Sequence, residues 1–336
     1  MKHKPSDTNN KFFSYLEFGS ICLESQSKHV WDFRLHETAY DWFMLARYAN
    51  DMQAYEELIR VLRSGRPPAS IELVSTKYAQ EIHHSDDLER NLSKVIALAL
   101  LTGNSERSFY ELGHTLFGCI EGMSFLLNLL ESLSIEIPPL CLQDVRWYGR
   151  DISALFNSLA IKLHSNFSVR TSQSEAELPS AFDVFFAKGV TLLYATENPD
   201  QLFSEISKGT CALFDYSFPV DEQRSRVIGT GKKVTHVCFH EFADLVRNAG
   251  LSFYLNNTSL SGGGSEQMVS ADCLVGPEQV CRRFIEVEGV IHNKIRARIA
   301  DVPQLRPLFP GISDSGSSWG LAPFDTKLWR LSRSAF

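Results

Sequence analysis

The stretch FYELGHTLFGCIEG, residues 109–122, combines an apolar entry, an acidic residue and glycines at positions 113, 118 and 122. An apolar run that leads through a glycine-containing turn into a helical pattern is typical of a strand, a loop and a helix in succession. The glycines do not have the spacing of a standard phosphate-binding loop. The stretch is therefore either a loop that lets the backbone pass close to a ligand or a flexible turn.

The chain has a different pattern on the two sides of residue 105. Before it, apolar residues recur at three-and-four spacing, as in residues 38–65, and predict an all-helical N-terminal unit over residues 1–104. After it, short β-type runs alternate with helical segments, which predicts an α/β fold with a parallel sheet covered on both faces. This sheet domain is expected to span residues 105–275, and a last helix with an irregular tail occupies residues 276–336.

The predicted strands and helices follow from the local patterns of residues. Asn198 and Pro199 are expected to start one helix, and Gly250 is expected to end another. The segment SGGGSEQ is predicted to be a hairpin connection between the last two strands. The predicted strands are SFYELG, DVRWYGRDIS, FSVRTS, FDVFFAKGV, CALFDYSF, LSFYLNN and MVSADCLVG.

Composition narrows the classes of partner. The 336 residues are 44% hydrophobic and carry a formal net charge of −7, which favours a globular protein and disfavours binding to nucleic acid or to an anionic membrane. The sequence contains no apolar run of membrane-spanning length, and its start lacks a secretory signal, so a cytoplasmic protein is expected. The seven cysteines are scattered singly, which predicts reduced and mostly buried thiols.

An acidic residue ends the second predicted strand, in Gly149-Arg150-Asp151-Ile152-Ser153. Ligands of open parallel sheets bind beyond the carboxyl ends of the strands, so Asp151 is expected beside the glycine loop. A carboxylate there accepts hydrogen bonds from two ribose hydroxyls. The loop and the acid together predict a site for a nucleoside-containing ligand.

With these segments in place, the region 108–275 resembles the class I S-adenosylmethionine-dependent methyltransferases. The resemblance is carried by ELGHTLFG, GRDIS, SEAELPSAFDVFFAKGVTLLY, NPDQLFSEI, CALFDYSF and HEFADLVRNAGLSFY, in order and in approximate spacing. It implies a Rossmann-like sheet of seven mostly parallel strands with the last one reversed, preceded by helices that cover the pocket. It also implies S-adenosyl-L-methionine as cofactor and a small-molecule acceptor.

The resemblance also implies roles for individual residues. Glu111 and the glycines after it correspond to the loop that holds the methionine end, although four residues intervene between Gly113 and Gly118. Asp151 corresponds to the ribose acid, and an uncharged Ser174 stands where the family often has an acid for the adenine amino group. The implied cofactor-binding residues are Glu111, Gly113, His114, Gly118, Asp151, Ile152, Ser174, Lys188, Gly189 and Val190.

Four residues are candidates for accepting a proton from the acceptor: His114, Asp215, His236 and His240. Alternative interpretations are a solvated helix start for His236 and His240, and ordinary loop polarity for Asp215. A metal site at His83-His84 and Asp86-Asp87 is not predicted, because adjacent side chains on a helix point in different directions.

Two further functions remain open. Some proteins of the resembled fold cyclise the aminobutyrate part of S-adenosylmethionine and release methylthioadenosine, as azetidine-2-carboxylate synthases do. A non-catalytic binding domain is the other alternative. The last helix could pack on the sheet, close the pocket or join two subunits into a homodimer, and periodicity does not choose among these.

Overall fold

A computed structural model describes residues 49–54, 56, 88–101, 107–114, 117–188, 192–193, 195–219, 224–227, 233–261, 268–309, 311–312 and 319–321. The predicted helix over residues 38–65 and the His83–Asp87 cluster lie largely or wholly outside these ranges. The helices are α1 (Leu88–Leu100), α2 (Gly118–Ser132), α3 (Ala154–Leu163), α4 (Pro199–Ile206), α5 (Phe239–Asn248) and α6 (Glu278–Asp301). The strands are β1 (Arg107–Leu112), β2 (Val145–Arg150), β3 (Ser168–Ser172), β4 (Phe182–Ala187), β5 (Gly209–Pro219), β6 (Arg224–Val227), β7 (Lys233–His236), β8 (Ser252–Ser261), β9 (Met268–Gly276) and β10 (Gly320–Leu321).

The main sheet has the strand order β10-β8-β9-β5-β4-β1-β2-β3. Strands β3, β2, β1, β4 and β5 are parallel neighbours, and β9 is antiparallel to both β5 and β8. The predicted Rossmann-like sheet with a reversed last strand is thereby confirmed, and the two-residue strand β10 extends its edge beside β8. Because strand order reverses between β1 and β4, the crevice for a ligand is expected at the loops that follow these strands.

Two apolar cores cover the two faces of the sheet. The first face includes Phe109, Trp147 and Leu213 and packs against α1, α2 and α6, together with Ala160 of α3. The second face packs against α4 and α5. The last long helix therefore packs on the sheet, which is one of the three places considered for it. Helix α1 belongs to the same core as the sheet, and a domain boundary at residue 104 stays a prediction.

The predicted helix ends are confirmed at two places. The Asn198 side chain accepts a hydrogen bond from the Gln201 backbone N–H at 2.9 Å, and Pro199 begins α4. Gly250 follows α5 with a φ of 73°, in the left-handed region that glycine adopts without strain. Strands β8 and β9 pair antiparallel on either side of residues 262–267, as predicted for a hairpin connection.

One predicted region is corrected by the structure. Strands β6 and β7 form a separate two-stranded sheet that lies between β5 and α5 in the chain. His236 is the last residue of β7 and is buried, so the alternative of a solvated helix start is wrong for it. The four-residue length of each strand and the intervening Ile-Gly-Thr-Gly-Lys explain why the sequence shows no strand pattern there. Within the described part of the chain, no helix is both long and apolar enough to cross a membrane.

Candidate functional site

The glycine loop begins directly at the end of β1. Gly113 has a φ of 72°, and its N–H donates to the Arg150 carbonyl at 2.6 Å, so the loop starts against the end of β2. Phe117 also has a left-handed backbone and is fully buried. Its ring stacks on the His114 ring with centroids 4.5 Å apart and planes 11° apart. Gly118 is the first residue of α2, and residues 115 and 116 lie outside the described ranges.

The rings of His114 and Phe117 lie against Gly149 of β2. A Cβ atom at Gly149 would be 2.5 Å from His114 Cδ2 and 2.6 Å from Phe117 Cζ. Only glycine fits there without displacing one of the rings. The four residues inserted between Gly113 and Gly118 thus place two rings between the loop and the sheet.

Glu111, the acid of the loop, is 6% exposed and accepts a hydrogen bond from the Cys119 thiol at 3.0 Å. The contact spans the loop, from the end of strand β1 to the first turn of helix α2. A buried carboxylate in this position holds the loop closed and is also favoured by the partial positive charge at a helix start.

Asp151 follows β2 directly and is 2% exposed. Its Oδ1 accepts a hydrogen bond from the Ser153 backbone N–H at 2.8 Å, which closes a tight turn. The next residue, Ile152, is 57% exposed and is the most exposed of the large hydrophobic side chains described. An acid next to a solvent-facing apolar side chain is a suitable surface for a ribose and a flat base.

Asn157, in the first turn of α3, joins the two loops and was not predicted from the sequence. Its Oδ1 lies 2.8 Å from His114 Nε2, and its Nδ2 donates to the carbonyls of Asp151 and Ser153, both at 2.9 Å. The glycine loop and the Asp151 turn are therefore connected through one buried side chain. An asparagine within a helical pattern gave no signal for this role.

A residue from the N-terminal region also contacts the start of α3. Asn50 Oδ1 accepts hydrogen bonds from the Leu155 backbone N–H at 2.9 Å and from Ser153 Oγ at 3.1 Å. Ser153 Oγ in turn accepts from the Phe156 N–H at 3.1 Å. The helix start is thus capped twice, once by its own residue and once by a residue 103 positions earlier than Ser153.

The loop after β3 contains Ser174, which is exposed and whose backbone N–H donates to Ser172 Oγ at 2.9 Å. Glu175 in the same loop forms ion pairs with Arg150 at 3.0 Å and with Lys208 at 2.5 Å. These two basic side chains lower the pKa of Glu175 below its ordinary value, Lys208 contributing most. Glu175 is therefore paired with basic side chains of the protein. The contact of Ser174 with an adenine amino group stays a prediction.

The sheet face beside the end of β4 is buried. Lys94 of α1 is fully buried, and its Nζ lies 3.7 Å from the centroid of the Phe186 ring. Phe186 is the register neighbour of Glu111. Lys188 follows β4 directly and is half-buried, whereas Gly189 and Val190 lie outside the described residues.

The four candidate proton acceptors do not lie together. Asp215 lies one residue past the last pair between β4 and β5, opposite Asp272 of β9, and Arg90 contacts both carboxylates at 3.7 and 3.8 Å. His236 lies on the other face of the sheet, beside Tyr216, and its Nδ1 donates to the Ser217 carbonyl at 2.9 Å. His240 is half-buried in the first turn of α5, also on that second face.

No family model matches the sequence, and no curated protein matches it either. Solved structures are similar to it in fold. Magnesium protoporphyrin IX methyltransferase from Synechocystis PCC 6803 with bound SAM is 12% identical and has a TM-score of 0.33, over 69% of this chain and 96% of its own. The CMeT domain of the citrinin polyketide synthase is 11% identical, with a TM-score of 0.35 over 74% and 67%.

A third similar structure is the O-methyltransferase of a trans-AT polyketide synthase from Brevibacillus brevis in complex with S-adenosyl-L-homocysteine. It is 10% identical, with a TM-score of 0.37 over 63% of this chain and 86% of its own. The similarity is one of fold. At such identities it does not assign an activity to any residue.

Proposed function

We propose that this chain is a methyltransferase that binds S-adenosyl-L-methionine and methylates a small molecule. The observation that carries the proposal is the placement of Asp151. Its buried carboxylate ends β2 beside the glycine loop, and Asn157 connects the two. In a sheet whose order reverses at β1, these loops flank the crevice where nucleotide-like ligands bind.

The residues at this edge fit the proposed cofactor. A carboxylate can accept about four hydrogen bonds, so one such group can accept both from the Ser153 N–H and from a ribose diol. Ile152 offers an exposed apolar surface to the base. Glu111 holds the loop that would cover the methionine end, and Lys188 with Gly189 and Val190 would line the methyl-transfer side.

When bound, the sulfonium of S-adenosylmethionine supplies an electrophilic methyl group. The protein then has to orient the acceptor and to exclude water. Phe186 and Lys94 are buried beside the end of β4 and would help to keep water from that side of the crevice. If the acceptor loses a proton, Asp215 is favoured among the four candidates, because it borders the β4 side and shares the sheet face of Glu111 and Phe186.

Ligand binding tests the cofactor part of this proposal. S-adenosylmethionine or S-adenosylhomocysteine at a hundredfold excess over its dissociation constant should raise the free energy of unfolding by about 2.7 kcal/mol. Loss of the Asp151 charge in Asp151→Asn should weaken binding roughly ten- to a hundredfold, since hydrogen bonds to a charged group are worth about 1.5–3 kcal/mol. The exposed Asp144, just before β2, gives the matched control Asp144→Asn, which should bind as the wild type does.

Product analysis tests the reaction. Adenosylhomocysteine formed only when an acceptor is present would support methyl transfer. Methylthioadenosine released without an acceptor would replace the proposal by cyclisation. Absence of any stabilisation by both ligands would identify a non-catalytic domain and overturn the proposal.

A further inference from the structure

We propose that Asn157 is a positioning residue that fixes the glycine loop and the Asp151 turn relative to each other and thereby sets the affinity for the cofactor. The inference rests on the proposed function. Asn157 is 7% exposed, and its three side-chain hydrogen bonds reach both loops. The sequence resemblance gives this residue no role.

The hydrogen-bond pattern determines the orientation of the amide. Two backbone carbonyls, those of Asp151 and Ser153, face one side-chain atom at 2.9 Å, so that atom must be the Nδ2 donor with its two hydrogens. The other atom is then Oδ1, which can only accept. His114 Nε2, 2.8 Å from it, must therefore carry a hydrogen and donate.

Both ends of this connection are held in place. The Asn157 backbone N–H donates to the Ser153 carbonyl at 3.0 Å, and its carbonyl accepts from Thr171 Oγ1 of β3 at 3.0 Å. At the other end, the His114 ring is stacked on Phe117 and packed against Gly149. A shift of one loop is thus transmitted to the other, because none of the contacting groups can reorient independently.

Removal of the Asn157 amide takes hydrogen bonds away from both loops. Without Nδ2, the carbonyls of Asp151 and Ser153 lose a donor in a buried environment, and without Oδ1, His114 loses its acceptor. The two loops then sample separations that do not match the ligand. We expect Asn157→Ala to weaken binding of S-adenosylhomocysteine about tenfold, which corresponds to the loss of about one buried hydrogen bond.

A double-variant cycle tests whether Asn157 and His114 act as one unit. His114→Ala should weaken binding to a similar extent, and the double variant should be no weaker than the weaker-binding single variant. His114→Gln, which keeps a donor near the position of Nε2, should bind within about threefold of the wild type. The capping variant Asn198→Ala, on α4, is the control for a general loss of stability and should leave binding unchanged.

Two measurements do not depend on the proposed function. Nitrogen-15 NMR of the wild type should show that His114 carries a hydrogen on Nε2. The His114 signal is assigned as the one that disappears in His114→Gln. Amide exchange should accelerate together in residues 112–114 and 151–153 of Asn157→Ala, but not in Asn198→Ala. If the wild type binds neither ligand while both measurements succeed, the proposed function fails and the structural connection stands.

Other results would overturn the inference itself. Hydrogen on Nδ1 but not on Nε2 of His114 would contradict the assigned hydrogen bond. Additive effects in the cycle, or Asn157→Ala that lowers stability without changing affinity, would reduce Asn157 to an ordinary helix residue. Faster exchange in only one of the two loops would likewise exclude a connection between them.

Discussion

Gly149 of β2 has no room for a larger side chain, because the loop after β1 packs against it. Alanine there brings Cβ within 2.6 Å of both rings that follow β1. We expect Gly149→Ala to lower the free energy of unfolding by about 1–3 kcal/mol, the usual cost of overpacking a buried position. Urea denaturation measures it.

Gly289 is the matched control for this substitution. It lies within α6, and a Cβ there would meet nothing within 4 Å. Gly289→Ala should raise the free energy of unfolding by about 0.5–1 kcal/mol, because alanine loses less backbone entropy in a helix. Equal effects of the same sign in the two variants would contradict the packing of His114 and Phe117 on β2.

At the scale of the element, the start of α3 depends on a residue distant in sequence. Asn50→Gly removes the hydrogen bond to the Leu155 N–H and should lower the free energy of unfolding by about 1 kcal/mol. Asn50→Ala removes the same cap but keeps a Cβ at a φ of 55°, which glycine lacks, so the alanine variant should be about 1 kcal/mol less stable than the glycine variant. Chemical denaturation of both variants checks the order; an alanine variant as stable as the glycine variant would be inconsistent with this backbone conformation.

Helix α6 carries a buried carboxyl group between two other elements. Glu288 accepts a hydrogen bond from Ser93 Oγ of α1 at 2.7 Å and another from Trp319 Nε1. Burial raises its pKa to about 7, despite the opposing effect of these donors. One turn later, burial lowers the pKa of His292 to about 4.

These shifts predict how stability depends on pH. The pKa of Glu288 is raised in the folded state. Its contribution to the free energy of unfolding is therefore fully present below the ordinary pKa of 4.5 and is lost as the pH rises to about 7. The side chain of Glu288→Gln cannot ionise. Relative to the wild type, the free energy of unfolding of this variant should therefore rise by up to about 3 kcal/mol across this pH range. His292 acts in the opposite sense in both proteins and cancels in the difference. Denaturation at several pH values measures the gain, and a difference independent of pH would contradict the burial of an ionisable Glu288.

At the scale of the whole molecule, one sheet separates two apolar cores and couples them. Phe242 of α5 is fully buried in the second core and packs on Phe214, Phe218 and Phe253. Phe242→Ala should cost about 3–5 kcal/mol. Because β1, β4 and β5 serve both faces, we expect amide exchange in β1 and β2 to accelerate by the same free energy as in β5. Acceleration confined to α5 and β5 would show that the two cores unfold separately.

The reversed last strand was implied by the family resemblance. The sequence by itself determined the α/β class, the helix ends at Asn198 and Gly250, and the place of Asp151 directly after a strand. These features follow from local patterns: alternating strand and helix runs, the Asn-Pro and glycine signals at helix ends, and an acid directly after an apolar strand. Each depends on neighbours along the chain, so periodicity and spacing were sufficient to predict them.

Only the tertiary structure decided which side chains meet. It placed Asn157 between the two loops, Asn50 on the start of α3, and the rings of His114 and Phe117 on Gly149. It also separated Asp215 from His236 and His240 by the thickness of the sheet. Such contacts join residues 32 to 105 positions apart. A pattern within one segment carries no information about them, because they are set by strand order and by the packing of helices on the sheet.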